Sequence, residues 1–267
     1  MGFAELYGPW AVVTGASEGT GREFARALAV EGIPSVLIAR REWPLAVLAR
    51  EIRAEFGVEC MVAPIDLAGP DAFEQIVAAV GAREVGLFVS NAGADPNGAK
   101  FLDREIGVWL DLIQRNDITM LRCCHHFAGA MRARGRGGIL LVNSGACYGG
   151  SRFMAAYAAS KAFTLAFAES LWDELRDRGV DVLTLVMHMT DTPALRTLLA
   201  EKGLPVPENA ADPAAVAALG LARLPFGPVQ NWGLADDEPG YAMVSAADRR
   251  RRSVAVGEAS AHVFGKD

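Results

Sequence analysis

Little in this 267-residue chain points to metal, disulfide or nucleic-acid chemistry. Its four cysteines, Cys60, Cys123, Cys124 and Cys147, form no CxxC pair. With only four histidines, no His/Cys spacing fits a zinc site, so no metal is expected. The cysteines read as reduced, mostly buried thiols of a cytoplasmic protein. Positive charge is in deficit: 26 Lys and Arg stand against 32 Asp and Glu, a net charge of −6. A nucleic-acid binder would carry a basic field instead, so no nucleic-acid partner is expected. No apolar stretch reaches the roughly 18 residues that span a bilayer, so no membrane partner is expected either. The opening MGFAELYGPW lacks the charged and apolar regions of a signal peptide. No internal repeat or low-complexity linker breaks the chain, so 1–267 is expected to be one domain.

What is present is rhythm. Short apolar runs at 10–14, 35–39, 60–65, 85–90, 139–143 and 180–186 read as six strands. They are apolar on consecutive positions, as when helices cover both faces of a parallel sheet. Helical segments fall between them at about 21–31, 44–56, 71–80, 103–134 and 152–178, with glycines at their ends. The pattern predicts an α/β fold: a three-layer, doubly wound parallel sheet of six to seven strands with right-handed crossovers. The last third differs. Residues 190–211 are polar and contain proline, yet carry Leu195, Leu198, Leu199 and Leu204. They are expected to form a mobile flap over a substrate. A capped helix is expected over 212–223, a short seventh strand over 228–232, and a helical tail over 246–263. The basic run 249–252 reads as a solvated face or an inter-subunit contact.

The first strand runs into TGASEGTG, Thr14 to Gly21, and then into a helix. Gly15 allows a sharp turn off the strand. Gly19 and Gly21 remove side chains where a pyrophosphate, or helix and strand, must approach closely. The helix N-terminus offers unpaired N–H groups to the anion. This junction marks a Rossmann fold that binds a dinucleotide through Gly15, Ser17, Glu18, Gly19, Thr20 and Gly21. At the end of the second strand, an acidic residue would hold the two ribose hydroxyls of NAD. Arg40 and Arg41 stand there instead, and paired guanidinium groups suit the 2′-phosphate of NADP. Ser17 adds a hydroxyl; Glu18 is an awkward neighbour that one of the arginines is expected to neutralise.

With further residues in order, this chain resembles the short-chain dehydrogenase/reductase family over about residues 9–192. TGxxxGxG matches its roughly 250-residue oxidoreductase branch. Asp66-Leu67 matches the adenine-holding end of strand three, and Asn91-Ala92-Gly93 the NAG motif after strand four. Asn116 matches the helix-perturbing catalytic Asn, Ser144 the catalytic Ser, and Tyr157 with Lys161 the YxxxK motif. The opening YGPW before TGASEGTG, the pair His125-His126 and NSGACYGG are also similar to bacterial 7β-hydroxysteroid dehydrogenases. The resemblance implies an NADP-dependent oxidoreductase that moves a hydride between nicotinamide and a carbonyl or secondary alcohol. It further implies that Tyr157 and Lys161 touch the nicotinamide ribose, and that Asn116 holds a water leading from Lys161 to solvent. Homodimers or homotetramers built through helices 103–134 and 153–178 follow from it as well.

The chemistry is also arguable from the residues. Tyr157 and Lys161 lie four apart on one helix and so share a face. A free phenol, with a pKa near ~10, is a poor base at neutral pH, and bringing it to about 7 needs roughly 4 kcal/mol. One ammonium about 4 Å away, at an effective dielectric of ~20, supplies about that much. Ser144 would hold the substrate oxygen as charge develops on it. A serine hydrolase is disfavoured, because NSGA is not a GxSxG elbow. After strand six, Met187-His188 replace the family's Pro-Gly. Thr192 matches the family threonine near carboxamide and pyrophosphate, and His188 and Thr190 are expected beside the nicotinamide. The expected pocket wall, 145–150 with Phe153, Met154, Met187, Met189 and the leucine-bearing flap, is apolar and adaptable. It suits a bulky apolar ketone or a hydroxysteroid-like alcohol. A non-catalytic NADP-binding sensor, or a lyase or isomerase on the same fold, is the competing reading.

Overall fold

The computed structural model describes residues 2–95, 98–235, 238 and 246–264, without the side chains of 246–249, 252, 253 and 264. Consecutively apolar segments become the strands β1 (Trp10–Thr14), β2 (Ser35–Ala39), β3 (Cys60–Pro64), β4 (Val85–Ser90), β5 (Gly137–Ser144) and β6 (Val180–Met187). With β7 (Val229–Asn231) they form one sheet in the order β3-β2-β1-β4-β5-β6-β7. All neighbouring strands run parallel. Successive residues of a strand face opposite layers. Ala11 and Val13 join one core cluster with Phe24, Leu45 and Val216, while Val12 joins the other with Ile76, Phe127 and Ala168. Each fully buried side chain of this size contributes roughly 1.5–3 kcal/mol, which is why both faces had to be apolar.

The covering helices are α2 (Gly19–Val30), α3 (Glu42–Phe56), α4 (Ala72–Val80), α5 (Ile106–Ile113), α6 (Thr119–Arg134), α7 (Ala155–Leu175) and α9 (Pro213–Arg223). The one helix expected over 103–134 is two. A π-helical turn, Gln114–Ile118, joins α5 to α6, and Phe101–Asp103 form a separate 3-10 turn. Two further helices escaped the periodicity argument. α1 (Phe3–Tyr7) is only five residues long, and its Tyr7 is buried with the hydroxyl donating to Asp181 at 2.6 Å. The segment expected as a flap contains α8 (Pro193–Glu201). Thr192 caps α8 by accepting from the Leu195 N–H at 3.2 Å, Pro193 opens it, and a parallel bridge from Thr190 to Ala211 pins its base. The helical tail is α10 (Ala246–Phe264). It lies against the entry to α7, since a Cβ at Gly257 would sit 3.2 Å from Cβ of Arg152. Of the basic run 249–252, Arg250 and Arg251 are exposed, while the side chains of Arg249 and Arg252 lie outside the described residues.

Strand order reverses between β1 and β4, where connections leave for opposite sides of the sheet. In open α/β sheets this reversal leaves a crevice at the carboxyl ends of the strands. Every sequence-predicted site residue except those on helices α2 and α7 and in the π turn follows or ends a strand at that edge.

Candidate active site

The glycine turn is tied to β4 by side chains. Thr14 Oγ1 accepts from the N–H groups of Asn91 and Ala92 at 3.1 and 3.2 Å. Asn91 Nδ2 donates to the carbonyls of Thr14 and Gly15 at 3.2 and 3.3 Å. Asn91 thus holds the turn from beneath. Gly21 lies so close to the turn that a Cβ would come 2.2 Å from the Gly15 carbonyl. At Gly19, φ is +55 and a Cβ would meet Thr192 Cγ2 at 2.8 Å. Helix α2 begins without a side-chain cap. Ser17 and Glu18 are half-buried before it, and Thr20 is buried in its first turn. An uncapped N-terminus beside a turn opened by Gly15 and closed by Gly19 fits a pyrophosphate.

Next to it, Arg40 and Arg41 are exposed after β2. Arg41 pairs with Glu18, which neutralises the carboxylate that stood out in the sequence. Asp66 is exposed and accepts from the Ala68 N–H at 3.1 Å, while the Leu67 carbonyl accepts from Thr119 Oγ1 at 2.9 Å. Arg115, in the π turn, reaches over this end and donates to the Ala94 carbonyl at 3.1 Å.

The reactive end gathers on β5, the π turn and α7. Asn143 Oδ1 accepts from the Ser144 N–H at 2.8 Å and its Nδ2 donates to the Lys161 carbonyl at 3.2 Å, which locks strand to helix. Ser144 Oγ accepts from the Ala146 N–H at 3.3 Å and acts on the Tyr157 phenol, favouring its ionised form. Lys161 shares Tyr157's helix face, its Nζ lying 5.7 Å from the centre of the ring. Buried Lys161 donates to the Val142 carbonyl at 3.2 Å. Buried Asn116 donates to the Gly93 carbonyl at 3.5 Å and accepts from Arg115 Nε at 3.3 Å. Gly93 lies beneath the lysine, since a Cβ there would come 2.8 Å from Lys161 Nζ.

The charges here differ from the sequence argument. Burial pushes the Tyr157 phenol above its ordinary value, with Ser144 working against it and Asp95 and Cys147 adding to it. Burial likewise pushes Lys161 down to about 8, with Asp117 and Cys147 opposing and Arg115 assisting. The expected lowering of the phenol by the lysine is therefore corrected. A Coulomb argument for the pair omits desolvation, which acts on both groups and drives each toward its neutral form.

After β6, His188 is exposed and lies beside the β5 turn, its ring 3.6 Å from a Cβ placed on Gly145. Thr190 Oγ1 donates to the His188 carbonyl at 3.2 Å, so this hydroxyl serves the loop itself. Thr192 caps α8 and faces Gly19. On the other side, buried Phe153 holds a left-handed backbone, φ 69, directly before α7. Such strain in an aromatic residue costs of order 1–3 kcal/mol and collects at functional sites.

Residues 9–203 match the family model for short chain dehydrogenases. A 7beta-hydroxysteroid dehydrogenase of Collinsella aerofaciens is 35% identical over 195 residues, 73% of this chain and 74% of that protein. A solved structure of a 7beta-hydroxysteroid dehydrogenase superposes with a TM-score of 0.81 at 30% identity, covering 88% of this chain and 91% of that one. A short-chain dehydrogenase from Sphingobium yanoikuyae, solved with NADPH, shares the fold with a TM-score of 0.76 at 24% identity, covering 94% and 95%. The chain belongs to the short-chain dehydrogenase/reductase family. It is an oxidoreductase of that family, which acts on small molecules.

Within this dehydrogenase the structure adds residues that the sequence reading passed over. Asn143 ends an otherwise apolar strand, and a buried amide there was a visible signal of a required hydrogen bond. Asp117 and Ser160 are buried next to Asn116 and Lys161, yet in sequence each looks like an ordinary helix-surface residue. Among the described residues no group of His, Cys, Asp and Glu is arranged to hold a metal, and no helix is long and apolar enough to cross a membrane.

Proposed function

We propose that this dehydrogenase is an NADP(H)-dependent carbonyl reductase or alcohol dehydrogenase for a bulky apolar ketone or hydroxysteroid-like secondary alcohol. Asn116, Ser144, Tyr157 and Lys161 are its catalytic set. The observation that carries this reading is the Tyr157 phenol within the influence of Ser144, with Lys161 on the same helix face at the carboxyl edge of β5.

The residues present fit the dinucleotide. The uncapped α2 with Gly15, Ser17, Gly19 and Gly21 would take the pyrophosphate, and Arg40 and Arg41 the 2′-phosphate. Asp66, Leu67 and the 91–93 segment would line the adenosine. Tyr157 and Lys161 would meet the nicotinamide ribose, and His188, Thr190 and Thr192 the carboxamide side. When bound, NADPH supplies the hydride. The chain's own residues handle the proton. Ser144 holds the substrate oxygen, and Tyr157 donates the proton to it. Burial keeps the phenol protonated, the form that donates to a substrate carbonyl. Asn116, on the Gly93 carbonyl below Lys161, stands where a water would link the lysine to solvent.

The wall expected of 145–150, Phe153, Met154, Met187, Met189 and the leucine-bearing flap would be apolar and adaptable. The name of the Collinsella relative agrees with a steroid-like substrate. Residues 1–267 then act as one Rossmann-type domain, with 190–211 as its substrate flap. We place the protein in the cytoplasm, which the four free thiols support. A homodimer or homotetramer is supported by Ile106, Leu110, Ile118, Leu121 and Phe163, apolar side chains left exposed along α5, the π turn, α6 and α7. The test is NADPH consumption with a panel of ketones that includes steroids and bicyclic ketones. Turnover of bulky ketones is expected; NADPH binding without turnover of any of them would leave only the sensor reading.

A further inference from the structure

Two consecutive polar residues, Asn116 and Asp117, are both buried. In a regular helix, neighbours point about 100° apart, and one of them would tend to face outward. The π turn Gln114–Ile118 widens the helix locally, and both side chains enter the interior. Asn116 belongs to the set already described. Asp117 has no part in it.

Asp117 Oδ1 accepts from Ser160 Oγ at 3.0 Å, and Ser160 is itself buried. The next residue along α7 is Lys161. A buried carboxylate held by one neutral hydroxyl is costly unless an opposite charge compensates it. We infer that Asp117, oriented by Ser160, is a positioning residue that acts through Lys161: its carboxylate is the buried counter-charge that keeps the lysine ammonium protonated at neutral pH.

The other groups facing Lys161 do not replace it. The Val142 carbonyl of β5 accepts one N–H but carries no net charge. Arg115, from the same π turn as Asp117, opposes the ammonium. The Cys147 thiol, in the 3-10 turn Gly145–Tyr148, helps only when it ionises. The Tyr157 ring, one turn back on α7, offers its π face or edge. Asp117 is the first of the charges that favour the ammonium; burial pushes its own carboxyl up, and the Ser160 hydrogen bond and the Lys161 charge work against that. The consequence for turnover rests on the reductase reading, since only there does the lysine charge bear on proton delivery.

The test reads Lys161 directly, without cofactor or substrate. The chain has four lysines, Lys100, Lys161, Lys202 and Lys266, so ε-13C-lysine labelling gives a spectrum simple enough to assign. In the wild-type protein the Lys161 signal is expected to titrate near 8. Asp117→Asn keeps an oxygen for the Ser160 hydroxyl and removes only the charge. The Lys161 midpoint is then expected to fall by about 1 pH unit or more, the lower end of what one nearby opposite charge contributes. Asp117→Val is the second variant: it removes the charge and the Ser160 hydrogen bond together, which costs stability because the lysine is left without its counter-charge; in the folded variant it predicts the same fall. An unchanged midpoint in either folded variant overturns the proposal, and so does failure of both to fold, which would make Asp117 a structural residue. The alkaline limb of ketone reduction should move down with the lysine midpoint. If the lysine shifts and no ketone is ever reduced, the inference stands and the reductase reading falls.

Discussion

Thr192 closes over Gly19: a methyl group on the glycine would lie 2.8 Å from Thr192 Cγ2, although 173 residues separate the two (192 − 19). The contact joins the turn after β1 to the start of α8, on either side of the dinucleotide crevice. Gly19→Ala therefore adds both this clash and a left-handed alanine, worth about 1–2 kcal/mol for the backbone alone. NADPH affinity is expected to fall at least about tenfold, each tenfold being about 1.4 kcal/mol. A fluorescence titration with NADPH checks it; unchanged affinity would show that the crevice closes differently.

Tyr157→Phe deletes the proposed proton donor and leaves the ring in place. Ketone reduction is expected to fall by about 10²–10⁴-fold, the usual weight of a positioned acid. NADPH affinity should stay within about twofold, because the phenol hydroxyl is one contact among many. Steady-state rates and a binding titration on the same preparation separate the two effects. Normal turnover in the variant would end the assignment of Tyr157.

The double change Arg40→Ala with Arg41→Ala should weaken NADPH by about tenfold to a hundredfold, as expected for losing charge-assisted hydrogen bonds. NADH, which has no 2′-phosphate, should change little. Because Arg41 also pairs with Glu18, the double variant leaves that carboxylate facing the phosphate, which deepens the discrimination. Paired Kd measurements test this, and an equal loss for both cofactors would remove the phosphate from these arginines.

Burial lowers Lys161 to about 8 from 10.5 in the unfolded chain. Between those values the unfolded chain binds a proton that the folded protein has released, so this group makes stability rise with pH there. Below about pH 8 both states carry the charge and the folded state bears its full burial cost. Lys161→Met lacks this dependence. Thermal melts of the two proteins should converge in favour of the wild type between pH 8 and 10.5, by at most about 1.4 kcal/mol per pH unit. A constant difference across that window would mean that the lysine is not desolvated.

Leu110→Asp with Phe163→Asp places charge on the exposed apolar faces of α5 and α7. The protein is expected to sediment as a monomer after this change and as a dimer or tetramer before it. A wild-type monomer in the ultracentrifuge would leave those faces without the proposed role.

The parallel, doubly covered sheet was legible because its strands must be apolar at every position, as 36–38, 87–89 and 139–142 are; the order of its strands was not. The glycine turn and the Tyr157–Lys161 face were legible because their spacing is their geometry. Other features depend on information that spacing does not carry. Five-residue α1 is too short to show a period, and it owes its place to Tyr7 reaching Asp181. The Thr192-Pro193 start of α8 was a readable cap that the polar composition of 190–211 concealed. Asp117 went unread although the resemblance put a helix-perturbing Asn at 116, because spacing does not say which neighbours a perturbed helix turns inward. The phenol's upward shift was missed for a different reason: desolvation is a property of the packed surroundings, not of the pair.

That π turn has a consequence for the whole rod from Ile106 to Arg134. Its extra residue sets the angular phase of α6 about one step, some 100°, away from the phase of α5. Trp109 and Leu112 are buried before it, and Cys123, Phe127 and Met131 after it. An inserted or deleted residue anywhere between 114 and 118 would rotate half of the sheet's covering layer, not merely lengthen or shorten a loop.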